Sequence, residues 1–201
     1  MPGLLRRNVP QCPDGLRIGL FGGSFDPPHS GHGHATLWAM KQIELDRVWW
    51  LFSAGNPLKA WKPAALQDRM VAARSILDHP RVGFSDLEAK TGTVRTVETL
   101  ELLQSSFPLA RFVWLMGSDS LADFHRWGGW REIFGRVPVA VLSRRPDRFA
   151  SMNSVAARTY ANHRICDGSA RALAEMNPPA WAVIRMPFDD TSSTELRRST
   201  P

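Results

Sequence analysis

The sequence has few cysteines and no long apolar segment. Its two cysteines, Cys12 and Cys166, lack the spacing of metal ligands, so neither a disulfide scaffold nor a zinc module is expected and both thiols should stay reduced. No apolar run approaches the roughly 18 residues that cross a bilayer. Arg6 and Arg7 are not followed by the apolar stretch of a secretory signal. These features predict a cytoplasmic protein.

Basic residues are in excess, but they are not concentrated. The net charge is +6, yet the densest basic clusters are the pairs Arg144–Arg145 and Arg197–Arg198. Such an excess suits a polyphosphate substrate as well as a nucleic acid. No zinc-finger spacing or aromatic RNA-binding strand occurs, so we expect neither nucleic acid nor a membrane as a partner. The alternative of a nucleic-acid binder predicts an affinity that falls steeply with salt. Monomer and homo-oligomer both stay open.

Length and composition predict one globular domain. The 201 residues are 43% hydrophobic and 22% charged, which is enough for a core without disulfides or metal. We expect a flexible arm over residues 1–16, where prolines and Gly15 are frequent, and a single domain over residues 17–201. The sequence assigns no role to the arm or to residues 147–179.

One stretch near the start carries most of the predicted chemistry. Residues 17–21 form a short apolar run typical of a buried strand, and Gly22-Gly23 is expected to break it and let a ligand approach the backbone. A helix is predicted from about residue 30 to residue 42. Its N-terminus would bind an anion, with His29 and His32 at the same end. The alternative is a plain turn followed by a polar helix start. The glycine spacing fits neither a P-loop nor a dinucleotide fingerprint.

The whole string is more specific than its parts. Gly22-Gly23-Ser24-Phe25-Asp26-Pro27 followed by His29-Ser30-Gly31-His32 resembles the His-x-Gly-His signature of the nucleotidylyltransferase superfamily. Near the other end, Ser192-Ser193-Thr194 with Arg197 resembles the second signature, with Thr191 in place of Ile. The resemblance covers residues 17–198 and is closest to the bacterial nicotinate mononucleotide adenylyltransferases. It implies an α/β fold with a Rossmann-like doubly wound parallel sheet, strand order 3-2-1-4-5, and a site at the switch point.

Segments between the two signatures match the same family. Thr96 falls in a Thr-x-x-Thr-Leu segment whose backbone N–H, by resemblance, meets the pyridine carboxylate, although Arg95 stands where the family usually has Tyr. Trp127 and Gly128 lie in a Phe-x-x-Trp-x-x-Trp string that resembles the nicotinate-stacking segment. Lys59 ends a loop that resembles the phosphate-binding loop, with Leu58 replacing a common His.

The resemblance implies adenylyl transfer from ATP to nicotinate mononucleotide, which gives deamido-NAD and pyrophosphate in NAD biosynthesis. No general base is needed, because the attacking phosphate monoester is largely dianionic near neutral pH. The predicted cofactor is Mg²⁺ bound through the ATP phosphates, with no metal ligands from protein. The predicted catalytic residues are His29, His32, Lys59 and Arg197. The predicted ATP-binding residues are Gly22, Gly23, Ser24, Phe25, His29, His32, Gly117, Asp119, Ser192, Ser193, Thr194 and Arg197. The predicted nicotinate-mononucleotide-binding residues are Ser24, Phe25, Lys59, Thr96, Asp119, Trp127, Gly128 and Arg145.

Other acceptors and another class stay open. Nicotinamide mononucleotide or phosphopantetheine could replace nicotinate mononucleotide, although the segments around Thr96 and Trp127 favour a pyridine nucleotide. The strength of acid-versus-amide discrimination is not given by the sequence. A nucleotide-binding regulator without turnover is the alternative from a different class, and the presence of His29, His32 and Arg197 argues against it.

Overall fold

A single parallel sheet organises the chain. The computed structural model describes residues 9–10, 12–53, 63–143 and 151–187. Its sheet has six strands in the order β3-β2-β1-β4-β5-β6, and all pairings are parallel. The strands are β1 Arg17–Gly23, β2 Arg47–Phe52, β3 Val82–Ser85, β4 Arg111–Gly117, β5 Val139–Ser143 and β6 Trp181–Arg185. The predicted order 3-2-1-4-5 is confirmed, and β6 extends it beside β5.

Helices cover both faces of the sheet. The α-helices are α1 Ser30–Ile43, α2 Leu66–Ile76, α3 Leu87–Thr91, α4 Thr96–Ser106, α5 Ser118–Asp123, α6 Trp130–Arg136 and α7 Val155–Thr159. Within the described ranges, the 3₁₀ helices are Phe124–Arg126, Ala161–His163 and Asp167–Glu175. The apolar sides of α1, α2 and the last 3₁₀ helix pack on one face of the sheet, and those of α3 to α7 pack on the other. The central strands are therefore buried on both sides and read as continuous apolar runs.

Helix α1 packs closely because the buried side of its N-terminal part is made mostly of small residues. Gly31, Gly33, Ala35 and Ala39 are all buried against the sheet or α2. The helix ends at Glu44, which has the left-handed φ of 56° that stops helical hydrogen bonding. Small side chains thus bring the first turn of α1 close to the carboxyl end of β1, where the candidate site lies.

Part of the predicted N-terminal arm packs on the domain. Val9 is only 8% exposed and belongs to the same core cluster as Trp49. Pro10 lies against Gly83 of β3, where a side chain at residue 83 would overlap the proline ring. The amide of Gly15 donates to the carbonyl of Leu109 at 3.2 Å. The other residues of the predicted arm, 1–8 and 11, lie outside the described residues.

The helices in the region after β5 differ in length and type from those that the sequence predicts. A helix is expected over residues 151–160, and the structure has α7 over five residues of it, capped by the Ser154 hydroxyl, which accepts from the amide of Ala157 at 3.2 Å. The second expected helix, near residues 170–175, is the 3₁₀ helix Asp167–Glu175. No helix in the described part of the chain has the length and apolarity that crossing a bilayer requires.

Candidate active site

The two glycines at the end of β1 do not break the strand. Both lie inside β1 and neither has a positive φ, so the predicted sharp turn at Gly22-Gly23 is wrong. A Cβ on Gly22 would overlap the indole of Trp114 on the next strand, with Cζ2 2.8 Å away. A Cβ on Gly23 would lie 3.2 Å from the ring of Phe25. The missing side chains therefore make room for two aromatic rings, one on each face of the sheet.

The turn after β1 is made by Phe25. Its φ of 45° is left-handed, which is unusual for a bulky residue, and its side chain is only 3% exposed. The ring stacks on Trp50 with centroids 4.5 Å apart and meets the edge of His32 at 5.1 Å. Phe25 is predicted to contact both substrates, and the structure places it as a buried residue beside the histidines, so that contact stays a prediction. Ser24, predicted with it, is half-buried just before the turn.

The two predicted catalytic histidines lie together at the start of α1. His29 is the N-cap residue and is 5% exposed, and its ring centroid is 3.8 Å from that of His32. The amide of His29 donates to Nδ1 of His32 at 3.2 Å. Because Nδ1 accepts this hydrogen bond, the proton of the neutral His32 ring is carried by Nε2. His32 can therefore donate from Nε2 at the positive end of the helix dipole.

Two buried hydrogen bonds in series connect β2 to the backbone of His32. The indole N–H of Trp50 donates to the hydroxyl of Thr36 at 2.8 Å, and that hydroxyl donates to the carbonyl of His32 at 2.9 Å. Trp50 and Thr36 are both fully buried. The first turn of α1 is thus tied to the middle of β2 as well as packed on it.

The two segments that are predicted to bind nicotinate mononucleotide, one at Thr96 and one at Trp127 and Gly128, also lie close together. Helix α4 begins at Thr96, and Val97 in its first turn packs against Gly129, where a Cβ would lie 2.9 Å from Cγ1 of the valine. Thr96 is therefore next to the turn that contains Trp127 and Gly128, as the resemblance implies. The N-cap of α4 is Arg95.

Ring contacts of Trp127 link the predicted nicotinate-binding segments to the end of β1. The half-buried indole packs edge-on against Phe124, with centroids 5.1 Å apart, and against Trp114 at 6.4 Å. Trp114 in turn occupies the space beside Gly22. Two aromatic rings therefore span the distance between the predicted pyridine position and the strand that leads to the histidines.

Gly117 and Asp119 lie where β4 passes into α5. Gly117 is the N-cap of α5, so Asp119 does not cap the helix, and its carboxylate folds back over Gly117, where a Cβ would overlap Oδ1. Asp119 is exposed. Since β4 is the neighbour of β1, this carboxylate lies at the switch point between the two halves of the sheet.

Six predicted site residues lie outside the described residues: Lys59, Arg145, Ser192, Ser193, Thr194 and Arg197. Within the ranges that are described, no group of three or more His, Cys, Asp or Glu side chains is arranged to hold a metal ion.

Comparison with known proteins identifies the family. A family model described as cytidylyltransferase-like matches residues 20–199. A protein from Ruegeria pomeroyi, named probable nicotinate-nucleotide adenylyltransferase, is 52% identical over 194 residues, which cover 96% of this chain and 91% of the relative. The chain belongs to the nicotinate-nucleotide adenylyltransferases. A relative of the same name from Roseobacter denitrificans is 45% identical and covers 96% of this chain and 97% of its own length.

Solved structures of this adenylyltransferase family share the fold. Plasmodium falciparum nicotinic acid mononucleotide adenylyltransferase complexed with APC has a TM-score of 0.65 at 17% identity, covering 91% of this chain and 83% of that chain. The same enzyme complexed with NaAD has a TM-score of 0.64. At this identity the likeness supports the fold alone, and it confirms the predicted doubly wound sheet.

The departure of this adenylyltransferase at Arg95 has a structural explanation. Glu98, in the first turn of α4, accepts from the Arg95 amide at 3.3 Å and from its Nε at 2.7 Å. These hydrogen bonds lower the pKa of the Glu98 carboxyl. The aliphatic part of Arg95 lies along Gly128, where a Cβ would be 3.1 Å from Cδ. The Arg95 side chain therefore packs beside the segment that contains Gly128, and its hydrogen bonds with Glu98 stabilise the start of α4.

Two charged residues of this adenylyltransferase are withdrawn from solvent, Arg69 almost fully and Glu88 in part. By its sequence, Arg69 resembles the arginine of the family's Arg-bearing helix, with a surface arginine as the alternative. Arg69 is 3% exposed and donates to the carbonyls of Ser24, Ser53 and Ala64. Its position in the apolar stripe of α2, one residue before Met70, is a signal that could have revealed this burial. Burial also raises the pKa of Glu88 to about 7, and no sequence pattern marks that residue.

Proposed function

We propose that this chain transfers the adenylyl group of ATP to nicotinate mononucleotide, giving deamido-NAD and pyrophosphate. The predicted enzyme class is confirmed by curated relatives near 50% identity that are named for this activity. The observation that carries the proposal in the structure is the pair of adjacent imidazoles at the N-terminus of α1, with ring centroids 3.8 Å apart, at the carboxyl end of the central strand.

The reaction needs alignment of two anions more than proton transfer. An oxygen of the nicotinate mononucleotide phosphate forms a bond to the α-phosphorus of ATP, and the bond from that phosphorus to the bridging oxygen breaks, so that pyrophosphate leaves with the electron pair. The attacking oxygen is already ionised near neutral pH. Catalysis therefore depends on positioning and on stabilising charge at the α-phosphate and the leaving group.

His29 and His32 are proposed to supply this stabilisation. The Nε2–H of His32 is a preorganised donor, because its other ring nitrogen is held by the His29 amide at 3.2 Å. The backbone N–H groups at the start of α1 lie beside this donor, and the positive end of the helix dipole there favours a bound anion. Burial of His29 and of the supporting Trp50 and Thr36 limits rearrangement when charge develops.

The remaining assignments are proposals that come from the sequence resemblance. Thr96, Trp127 and Gly128 are proposed to hold the nicotinate ring and its carboxylate, and their proximity supports this. Asp119 with Gly117 is proposed to contact ribose near the join of the two nucleotides. The predicted substrate-binding residues outside the described ranges are Lys59, Arg145, Ser192, Ser193, Thr194 and Arg197, of which Lys59, Ser193 and Arg197 are proposed to hold phosphates.

Mg²⁺ is proposed to enter with ATP as the magnesium complex of the substrate. Imidazoles and backbone amides line the start of α1, and these suit phosphate oxygens rather than a hard divalent cation, which prefers oxygen ligands. A cytoplasmic location and the lack of nucleic-acid and membrane partners stay predictions from the sequence.

Two substitutions of His32 test its role. His32→Asn keeps a short acceptor for the His29 amide but has no Nε2 donor, whereas His32→Ala loses both. We expect both to lower kcat in a pyrophosphate-release assay by about 100-fold or more, as removal of one preorganised donor does. His79→Ala is the matched control, because His79 Nδ1 also accepts a backbone amide, that of Arg81 at 3.2 Å, in the turn before β3. A folded His32→Asn enzyme with normal kcat would refute the assignment.

A further inference from the structure

Arg69 is a buried cation beside the candidate site. It lies in the first half of α2, is 3% exposed, and its guanidinium reaches the carboxyl edge of the sheet. Nη1 donates to two carbonyls, that of Ser24 after β1 and that of Ser53 after β2, the latter at 3.1 Å. Nε donates to the carbonyl of Ala64 at 2.9 Å. One side chain therefore joins three backbone segments.

The hydrogen bonds of Arg69 are specific to a guanidinium. Two N–H groups of one nitrogen point at carbonyls from adjacent strands while Nε points at a third, an arrangement that requires a planar fork of donors. Burial lowers the pKa of Arg69, and the nearby Asp26 carboxylate opposes that effect. The side chain stays charged at neutral pH, since arginine does not lose its proton in proteins. Asp26 also accepts from the amide of Ala64 at 3.3 Å.

The contact with Ser24 acts on the turn that leads to the histidines. The carbonyl of Ser24 belongs to the peptide that precedes Phe25, so its orientation is coupled to the left-handed φ of 45° at that residue. Such a conformation persists only where its surroundings hold it. Packing of the Phe25 ring on Trp50 holds the side chain, and Arg69 holds the peptide. Four residues later the chain reaches His29.

We infer that Arg69 is a positioning residue for adenylyl transfer: by binding the carbonyls of Ser24 and Ser53 it fixes the turn at Phe25 and hence the placement of His29 and His32. The inference rests on the proposed function. Arg69 does not touch the reacting atoms in this account. It acts through the backbone between β1 and α1, so its loss should affect the transition state more than ground-state binding of either substrate.

Arg69→Lys is the primary test, because it keeps the positive charge but replaces the fork of donors with a single ammonium. We expect kcat to fall about tenfold or more, as small misplacements of catalytic groups do, while KM for ATP and for nicotinate mononucleotide each stay within about threefold. Arg74→Lys, on the same helix but exposed, is the matched control and should leave kcat unchanged. Arg69→Met, which also removes the charge, should lose at least as much kcat.

A second readout separates positioning from general stability and does not depend on turnover. In ¹H–¹³C spectra of the histidine rings, Arg69→Lys should shift the signals of His29 and His32 and leave that of His79 in place, in a protein that unfolds cooperatively like wild type. Unchanged kcat together with unchanged histidine signals in a folded Arg69→Lys protein would overturn the inference. If wild type shows no activity, the proposed function fails, and the ring signals still decide whether Arg69 places the histidines.

Discussion

Removal of the negative charge of Glu88 should make the protein more stable, and increasingly so as pH rises. Glu88, in α3, is half-buried, and desolvation raises the pKa of its carboxyl from 4.5 to about 7 despite the hydrogen bond from Thr99, which opposes the shift. The folded protein thus binds a proton that the unfolded chain has released at intermediate pH. Its stability falls as pH rises from about 4.5 to about 7 and is constant above that range for this group.

The hydrogen bonds near Glu88 run through three threonine hydroxyls. Thr99 Oγ1 donates to Glu88 Oε1 at 3.3 Å and lies 3.3 Å from Thr93 Oγ1, which lies 3.0 Å from Thr91 Oγ1. The Thr91 hydroxyl donates to the carbonyl of Leu87 at 2.8 Å. The hydrogen bond from Thr99 favours the ionised carboxyl, and desolvation outweighs it.

The magnitude follows from the pKa difference. Raising the pKa of the Glu88 carboxyl from 4.5 to about 7 corresponds to a loss of about 3 kcal/mol in the free energy of unfolding. About 2.5 kcal/mol of this loss develops between pH 5 and pH 8. Glu88→Gln carries an amide that donates without titrating. We therefore expect its free energy of unfolding, relative to wild type, to rise by about 2 to 3 kcal/mol from about pH 5 to about pH 8 in urea unfolding experiments.

The matched control is Glu132→Gln, which removes the same charge from an exposed position on α6. Its stability relative to wild type should change by less than about 0.5 kcal/mol over the same pH range. A Glu88→Gln difference that is independent of pH would refute the raised pKa.

Two further substitutions test the aromatic packing at the site. Gly22→Ala should destabilise the protein by about 1 to 3 kcal/mol in urea unfolding, because its Cβ would overlap the Trp114 ring. The control Gly135→Ala, in α6 with no neighbour near its Cβ, should be neutral or slightly stabilising, and equal effects at the two positions would contradict the packing argument. Trp127→Leu should raise KM for nicotinate mononucleotide about fivefold to tenfold, because the stacking surface is lost, with KM for ATP within about threefold. An unchanged KM for the acceptor would remove Trp127 from the site.

The central strands of the sheet were predictable because they are nearly continuous apolar runs. Residues 47–52 and 111–116 have the composition of strands buried on both faces, and both form strands at those positions. The strand order came from the family resemblance, since nothing in the runs themselves says which strands are neighbours.

The geometry of the site was less predictable because it depends on contacts between distant parts of the chain. Gly22 looked like a ligand-approach glycine, but the reason for its lack of a side chain is the ring of Trp114, which lies on another strand. Phe25 follows glycines and a serine and was assigned to a loop contact with ligand. Its burial against Trp50 depends on packing that forms only when the sheet is complete. Local sequence therefore indicated the position of the candidate site, whereas packing between distant parts of the chain determines which of its residues are buried.

Pyrophosphate release from ATP and Mg²⁺, with nicotinate mononucleotide and nicotinamide mononucleotide compared side by side, tests the central claim most directly. We predict turnover with a kcat/KM preference for the acid of about 100-fold or more, equivalent to roughly 2.7 kcal/mol. Equal rates would keep the reaction but contradict the assignment of carboxylate donors at Thr96 and Gly128. No release with either acceptor would contradict the proposed function and favour another acceptor, such as phosphopantetheine, or a nucleotide-binding regulator.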